Sequence, residues 1–151
     1  MWNAGCDQKA KNQAAGLIRR LFVHVGFWLL ALSLSGCMLI AGEDQSGDNT
    51  LDGGNVYVSF VSAEGVETRS VPTAFPNQPL DVTLFARTES GQLRLELLDP
   101  QDSVVVALDA QPSERTNQAT VTTNEAGEFR YRIRATGAQN GEFTILYQPS
   151  G

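Results

Sequence analysis

From Asn55 onward apolar side chains recur at every second position, in one short run after another, and this is the strongest constraint on what the chain can fold into. Val56, Val58 and Phe60 alternate with Tyr57, Ser59 and Val61. Leu80, Val82, Leu84 and Ala86 alternate with Asp81, Thr83, Phe85 and Arg87, and Leu93, Leu95 and Leu97 with Arg94 and Glu96. Phe129, Tyr131, Ile133 and Ala135 alternate with three arginines, and Phe143, Ile145 and Tyr147 with Thr144 and Leu146. Successive side chains of a strand point to opposite faces, so each run predicts a strand with one face buried. Turn residues fall between the runs: Ala63-Glu64-Gly65, Glu89-Ser90-Gly91, Asp99-Pro100-Gln101-Asp102, Asn124 to Gly127 and Gly137 to Gly141. Val66 to Val71, Val104 to Leu108 and Thr116 to Thr123 add weaker strands, and Pro72, Pro76 and Pro79 gather in one connection, where a missing N–H harms no ladder. No segment after Cys37 keeps a helical period. Seven or eight short strands in about 95 residues predict an antiparallel two-sheet sandwich.

Charge divides the chain in two. Before Cys37 stand Lys9, Lys11, Arg19 and Arg20 against Asp7; from Cys37 onward seven arginines face sixteen acids, with no lysine. So acidic a body excludes nucleic acid as a partner, since phosphate binding relies on clustered Lys and Arg. His24, Cys6, Trp2 and Trp28 all precede Cys37, which leaves no histidine and one cysteine in the body. Ser-His and Cys-His catalysis, histidine zinc sites, haem ligation by His and an internal disulfide are thereby excluded there. Paired carboxylates alone can hydrolyse glycosides, but they need a lined cleft that a sandwich of this size rarely provides. Asp99 and Asp102 fall in a turn, where Asp caps local backbone. The expectation is a body that is not an enzyme, with no catalytic residues, no bound metal and no cofactor.

Residues 1–36 place a basic stretch, a fourteen-residue apolar run (Leu21 to Leu34) and the small residues Ser35 and Gly36 in the order of an export signal. Leu34-Ser35-Gly36-Cys37 resembles the lipobox of bacterial lipoproteins. The resemblance implies an N-terminal signal helix over 1–36, cleavage between Gly36 and Cys37, a diacylglyceryl group on the Cys37 thiol and an acyl chain on its amine. Two or three chains, at about 0.8 kcal/mol per buried CH₂, anchor stably where one is marginal. It also implies a cell-envelope location, at the outer membrane of a Gram-negative cell because Met38 rather than Asp follows Cys37. The alternative is an uncleaved span over Leu21 to Ile40, long enough to cross a bilayer. Arg19-Arg20-Leu21-Phe22-Val23 looks like a twin-arginine export motif, although a plain positive end to an ordinary signal accounts for the pair.

Residues 41–54, AGEDQSGDNTLDGG, are small, polar and acidic. Such a composition buries too little apolar surface to offset ordering, so residues 37–54 are expected to be a lipidated N-terminus followed by a flexible tether, with the sandwich domain over 55–151. Asp44, Asp48, Asn49 and Asp52 lack the spacing of a calcium loop.

Gly91-Gln92-Leu93-Arg94-Leu95-Glu96-Leu97-Leu98-Asp99-Pro100, followed by Ser103-Val104-Val105, resembles the central hairpin of bacterial pre-peptidase C-terminal domains. Gly127-Glu128-Phe129 and Gly141-Glu142-Phe143 are similar to the starts of their closing strands. The resemblance spans about residues 80–148 and implies a jelly-roll-like accessory module of a kind usually appended to secreted enzymes and sometimes binding calcium or polymer.

Arg130, Arg132 and Arg134 share one face of one strand, about 7 Å apart, and are a candidate anion-binding set. The plainer reading is a solvent face countered by acids such as Glu96 on a neighbouring strand. Most aromatics lie on the buried phase of their strands; Tyr57 and Phe85 lie on the other, exposed or facing a second packed layer. The sequence thus predicts an all-β, antiparallel two-sheet sandwich, jelly-roll or immunoglobulin-like, on a lipid anchor. Its expected role is non-catalytic protein binding or envelope scaffolding. The alternative is a carbohydrate- or calcium-dependent module, with a polysaccharide as partner.

Overall fold

The computed structural model describes residues 37–151, in which seven strands and no helix occur: β1 (Leu39–Ala41), β2 (Asp44–Thr50), β3 (Gly53–Pro72), β4 (Pro79–Leu98), β5 (Val104–Asp109), β6 (Arg115–Thr122) and β7 (Glu128–Pro149). The expected signal peptide over 1–36, with Gly36 and the paired arginines, lies outside the described residues. Every strand pairing is antiparallel. The described residues are all-β, as the alternation predicts.

The order is β1-β3-β7-β4-β5, with β2 also on β3 and β6 also on β4. The register shows why two short strands share each long one. β2 pairs with residues 53–59 of β3 and β1 with residues 62–64. Likewise β6 pairs with 79–86 of β4 and β5 with 94–98. Each long strand therefore contributes half its length to each of two layers, one ordered β2-β3-β7-β4-β6 and the other β1-β3-β7-β4-β5. The layers face one another across the core, in the manner of sandwiches whose strands cross between sheets at bends.

The bends fall where the sequence predicts turns. β3 shifts register between Ala63 and Gly65, and β4 between Ser90 and Gln92. Gly91 and Gly137 hold φ of 75° and 57° at the bends of β4 and β7. That is the left-handed region, which a side chain makes costly. A Cβ on Gly91 would also strike the Gly137 carbonyl, so the two bends nest against each other. Thr88, 2% exposed, ties them: its Oγ1 reaches the carbonyls of Ser90 at 2.9 Å and Gln139 at 3.1 Å. Expected turns at 63–65, 89–91 and 137–141 are thus corners within continuous strands.

Between the layers lie the residues of the buried phase. Val58, Leu80, Leu84, Leu95, Leu97, Ile133 and Ile145 are fully enclosed, with Phe60, Phe129, Tyr131, Phe143 and Tyr147 beside them. Burying each such side chain stabilises the fold by about 1.5–3 kcal/mol. At the end away from the bends, the proline-bearing β3–β4 connection inserts Phe75 into the core, and Thr123 holds it by bonding the Phe75 carbonyl and accepting from the Gln78 N–H at 3.1 Å.

The acidic stretch departs from expectation. Residues 44–50 are not a tether but a strand, in register with β3 from Asp44↔Ser59 to Thr50↔Gly53. The reason is polar pairing rather than apolar burial. Arg69, on the other layer, bonds Glu43 and Glu67, and Asn49 Nδ2 donates to the Pro72 carbonyl at 3.1 Å. β2 closes one side of the sandwich with hydrogen bonds, so its side chains carry no hydrophobic period. The folded body thus includes residues 39–41 and 44–50.

Candidate functional site

Cys37 is exposed, with a free thiol. No spacer separates it from the body: Met38 and Ile40 pack on the core, and the Cys37 carbonyl oxygen is 2.9 Å from where a Cβ on Gly65 would stand. Leu39 and Ile40, counted in the apolar run of the spanning alternative, are strand residues.

The three arginines lie on the outer face of the second layer, and each is engaged. Arg134 Nε contacts both oxygens of Glu96 at 3.1 Å, Arg132 reaches the same carboxylate at 3.3 Å, and Arg94, opposite Arg134 on β4, adds a third guanidinium at 3.1 Å. Arg130 pairs with Asp102 at 2.9 Å, in the β4–β5 turn. The Glu96 side chain is only 7% exposed. Desolvation pushes its carboxyl upward, but the hydrogen bond and charge of Arg134, with Arg94 and Arg132, outweigh this and hold it below the ordinary value. The face is an ion-pair network centred on Glu96, the counter-charge expected from the sequence. Asp99 caps its turn as expected, accepting from the N–H groups of Gln101 and Ser103 at 2.8 Å.

A different face of the molecule assembles what the sequence leaves open. On the outside of the first layer, registers align Tyr57, Thr144 and Phe85 in one row across β3, β7 and β4. The next rows are Ser59, Glu142 and Arg87 on one side, and Asn55, Leu146 and Thr83 on the other. Both aromatics are half-buried, so neither has a second packed layer over it. With strands about 4.8 Å apart, Tyr57 and Phe85 stand about 10 Å apart with the shorter Thr144 between them. Glu142 accepts from Tyr57 Oη at 3.2 Å and from Arg87 Nε at 2.7 Å. The bond from Arg87 is the main reason its carboxyl sits below the ordinary range. Beyond Leu146, a shallow groove lined by Thr83, Gln118, Thr120 and Gln148 leads to Asp81, which accepts from Ser150 and Thr120 at 2.7 and 2.9 Å.

This face places two aromatic edges, a fixed carboxylate, a guanidinium and several hydroxyl and amide groups on one surface. Alternation places each residue off the buried phase, but the strand order β3-β7-β4 that sets them side by side is not written in any local stretch. Among the described residues no group of three or more His, Cys, Asp or Glu is arranged to hold a metal ion.

No family model matches the chain, and no curated protein matches it. Several solved structures are similar at low identity. One is a carbohydrate-binding module from Cellvibrio mixtus lichenase 5A, 17% identical over 78% of this chain and 100% of that one, with a TM-score of 0.38. Another is a Bacillus endospore-appendage pilus protein, 12% identical over 76% of this chain and 96% of that one, with a TM-score of 0.45. A third is the xylan-binding domain of Paenibacillus barcinonensis Xyn10C, 8% identical over 77% of this chain and 86% of that one, with a TM-score of 0.39. Likeness at this level carries neither ligand nor partner over to this chain.

Proposed function

We propose that the protein is a bacterial lipoprotein of the cell envelope, acylated at Cys37, whose sandwich is a non-catalytic module binding polysaccharide on the outer face of its first layer. In a cell with two membranes, Met38 rather than Asp after the acylated cysteine supports the outer one. The observation that carries the ligand class is the Tyr57–Thr144–Phe85 row beside the Glu142–Arg87 pair. A sugar ring offers an apolar C–H face and a rim of hydroxyls. Half-buried aromatics meet the first with little entropy to lose, and a carboxylate and guanidinium already fixed by each other meet the second. The low-lying Thr144 leaves a trough between the rings along which an extended chain can lie.

Affinity electrophoresis against soluble polysaccharides, preceded by a glycan array, tests the reading. Retardation by at least one polymer is expected, with Tyr57→Ala and Phe85→Ala each weakening binding about tenfold, or about 1.4 kcal/mol. Binding that survives both changes removes this face from the proposal.

A second reading has one observation of its own. β5 ends the strand order, and Val104 and Val105 on it are 45% and 41% exposed. An edge strand with bare valines suits a protein partner that adds a strand. Flat glycan results, together with a co-purifying envelope protein lost on Val105→Lys, would favour it.

A further inference from the structure

The exposed large apolar side chains are not scattered evenly. Leu39 is 73% exposed, Val61 60% and Val66 36%, and all three lie on β1 or on the stretch of β3 beside it. Leu39 opposes Glu64, diagonal to Val66, while Val61 sits against Gly42 at the other end of the short strand. From Cys37 to Gly42 is about 17 Å of extended chain at roughly 3.3 Å per residue, and the three side chains border this short strip at the bend of β3, Leu39 on the phase of Glu64 and Val61 on the phase of Ile40. A shallow groove runs beside it, lined by Leu39, Ala41, Ala63 and Ala138. The acids that flank the strip are engaged: Glu43 by Arg69, and Glu64 by the Gly137 N–H at 2.6 Å.

We infer that this strip is a membrane-contact surface, and that the sandwich lies with its bends against the lipid headgroups rather than held away on a tether. The inference rests on the acylation of Cys37 proposed above. What selects a lipid surface as the occupant is the length of free chain between anchor and body, which is nil. Met38 already packs on the core, so acyl chains leaving Cys37 bring the bilayer to within a residue or two of Leu39. Leu39, Val61 and Val66 then enter the boundary between headgroup and acyl chain, where apolar burial adds to the anchor. Both sheet faces rise from the membrane, and the Tyr57–Phe85 face stays open.

Cleavage would remove Trp2 and Trp28, leaving a mature chain free of tryptophan, so one introduced indole reports its own surroundings. Leu39→Trp places it on the strip, and Leu51→Trp, at an 83% exposed position in the β2–β3 turn, places it at the far end of β3. Both proteins are isolated from membranes in mature form, checked by mass spectrometry for acyl groups on Cys37, and reconstituted into phosphatidylethanolamine–phosphatidylglycerol vesicles with and without brominated lipid. The expected result is emission at shorter wavelength for Leu39→Trp, with at least twice the bromine quenching of Leu51→Trp. Acylated protein in which the two are quenched alike overturns the contact surface and leaves the anchor standing. A mature chain without acyl mass overturns the anchor, and the contact surface with it.

Discussion

Phe129 and Tyr147 belong to the same strand, eighteen residues apart, yet their rings meet edge to face with centroids 5.4 Å apart. A straight strand would separate them by about 60 Å. Tyr131 and Phe143 repeat the relationship at 5.8 Å, nearer the bend. β7 therefore folds over itself at Gly137, and its two halves supply facing walls of the core.

Truncating either pair should open a cavity spanning both layers. Phe143→Ala and Phe129→Ala are each expected to cost about 3–5 kcal/mol, read from urea midpoints. A double-mutant cycle between Tyr131 and Phe143 should show coupling of about 0.5–1.5 kcal/mol beyond the area buried. Additive losses would mean that the rings do not touch in solution.

The bends should respond unequally to an added methyl group. Gly91→Ala meets both a left-handed φ and the Gly137 carbonyl, so something must shift. Gly137→Ala meets open space and carries only the conformational cost of about 1–2 kcal/mol. The expected order of thermal midpoints is wild type, then Gly137→Ala, then Gly91→Ala.

Acid should weaken the fold through its paired carboxylates. Glu96 and Glu142 have folded-state pKa values below their ordinary ones, so the unfolded chain binds protons more readily. Their contribution is complete above the ordinary carboxylate value near 4.5 and is lost as pH falls through the lower folded values. Urea midpoints should hold level toward pH 5 and drop below it. Glu96→Gln should lower stability at neutral pH by about 1–2 kcal/mol, its arginine partners being part exposed, and should flatten the acid limb.

Residues 44–50 offer a test of the paired edge strand. In native-state hydrogen exchange, the amides of β2 that bond to β3 should be protected in alternation, whereas a tether would show none. Gly47→Pro, at the centre of the strand, should erase that protection while leaving β4 and β7 intact.

Alternation carried much of the architecture. Leu93, Leu95 and Leu97 reveal their burial because one face of their strand meets the core and the other meets water. β2 gives no such signal, because its inward positions, Gln45 and Asn49 among them, face polar groups at the open side of the sandwich. Gly91 and Gly137 announce a change of direction, but the same residue serves a hairpin turn and a corner in an unbroken strand. Only the pairing of both halves with the same neighbours separates the two. For the arginine set, spacing was enough to place it on one face and to name Glu96 as a counter-charge. It was not enough to reveal that Arg94 completes the cluster. Tyr57 and Phe85 were visible as lying off the buried phase, while their exposure and their adjacency to Thr144 and Glu142 come from a strand order that only the assembled fold defines.

β7 is the middle strand of both layers and the last of the described strands. Apart from it, β3 pairs only with β1 and β2, and β4 only with β5 and β6, so no other strand pairing joins the two groups. A chain emerging from a ribosome or a translocation pore thus holds two unconnected meanders, each with a bare apolar face, until residues 128–149 are free. Folding is then a single late event, and a nascent chain halted anywhere before Glu128 has no core to protect it.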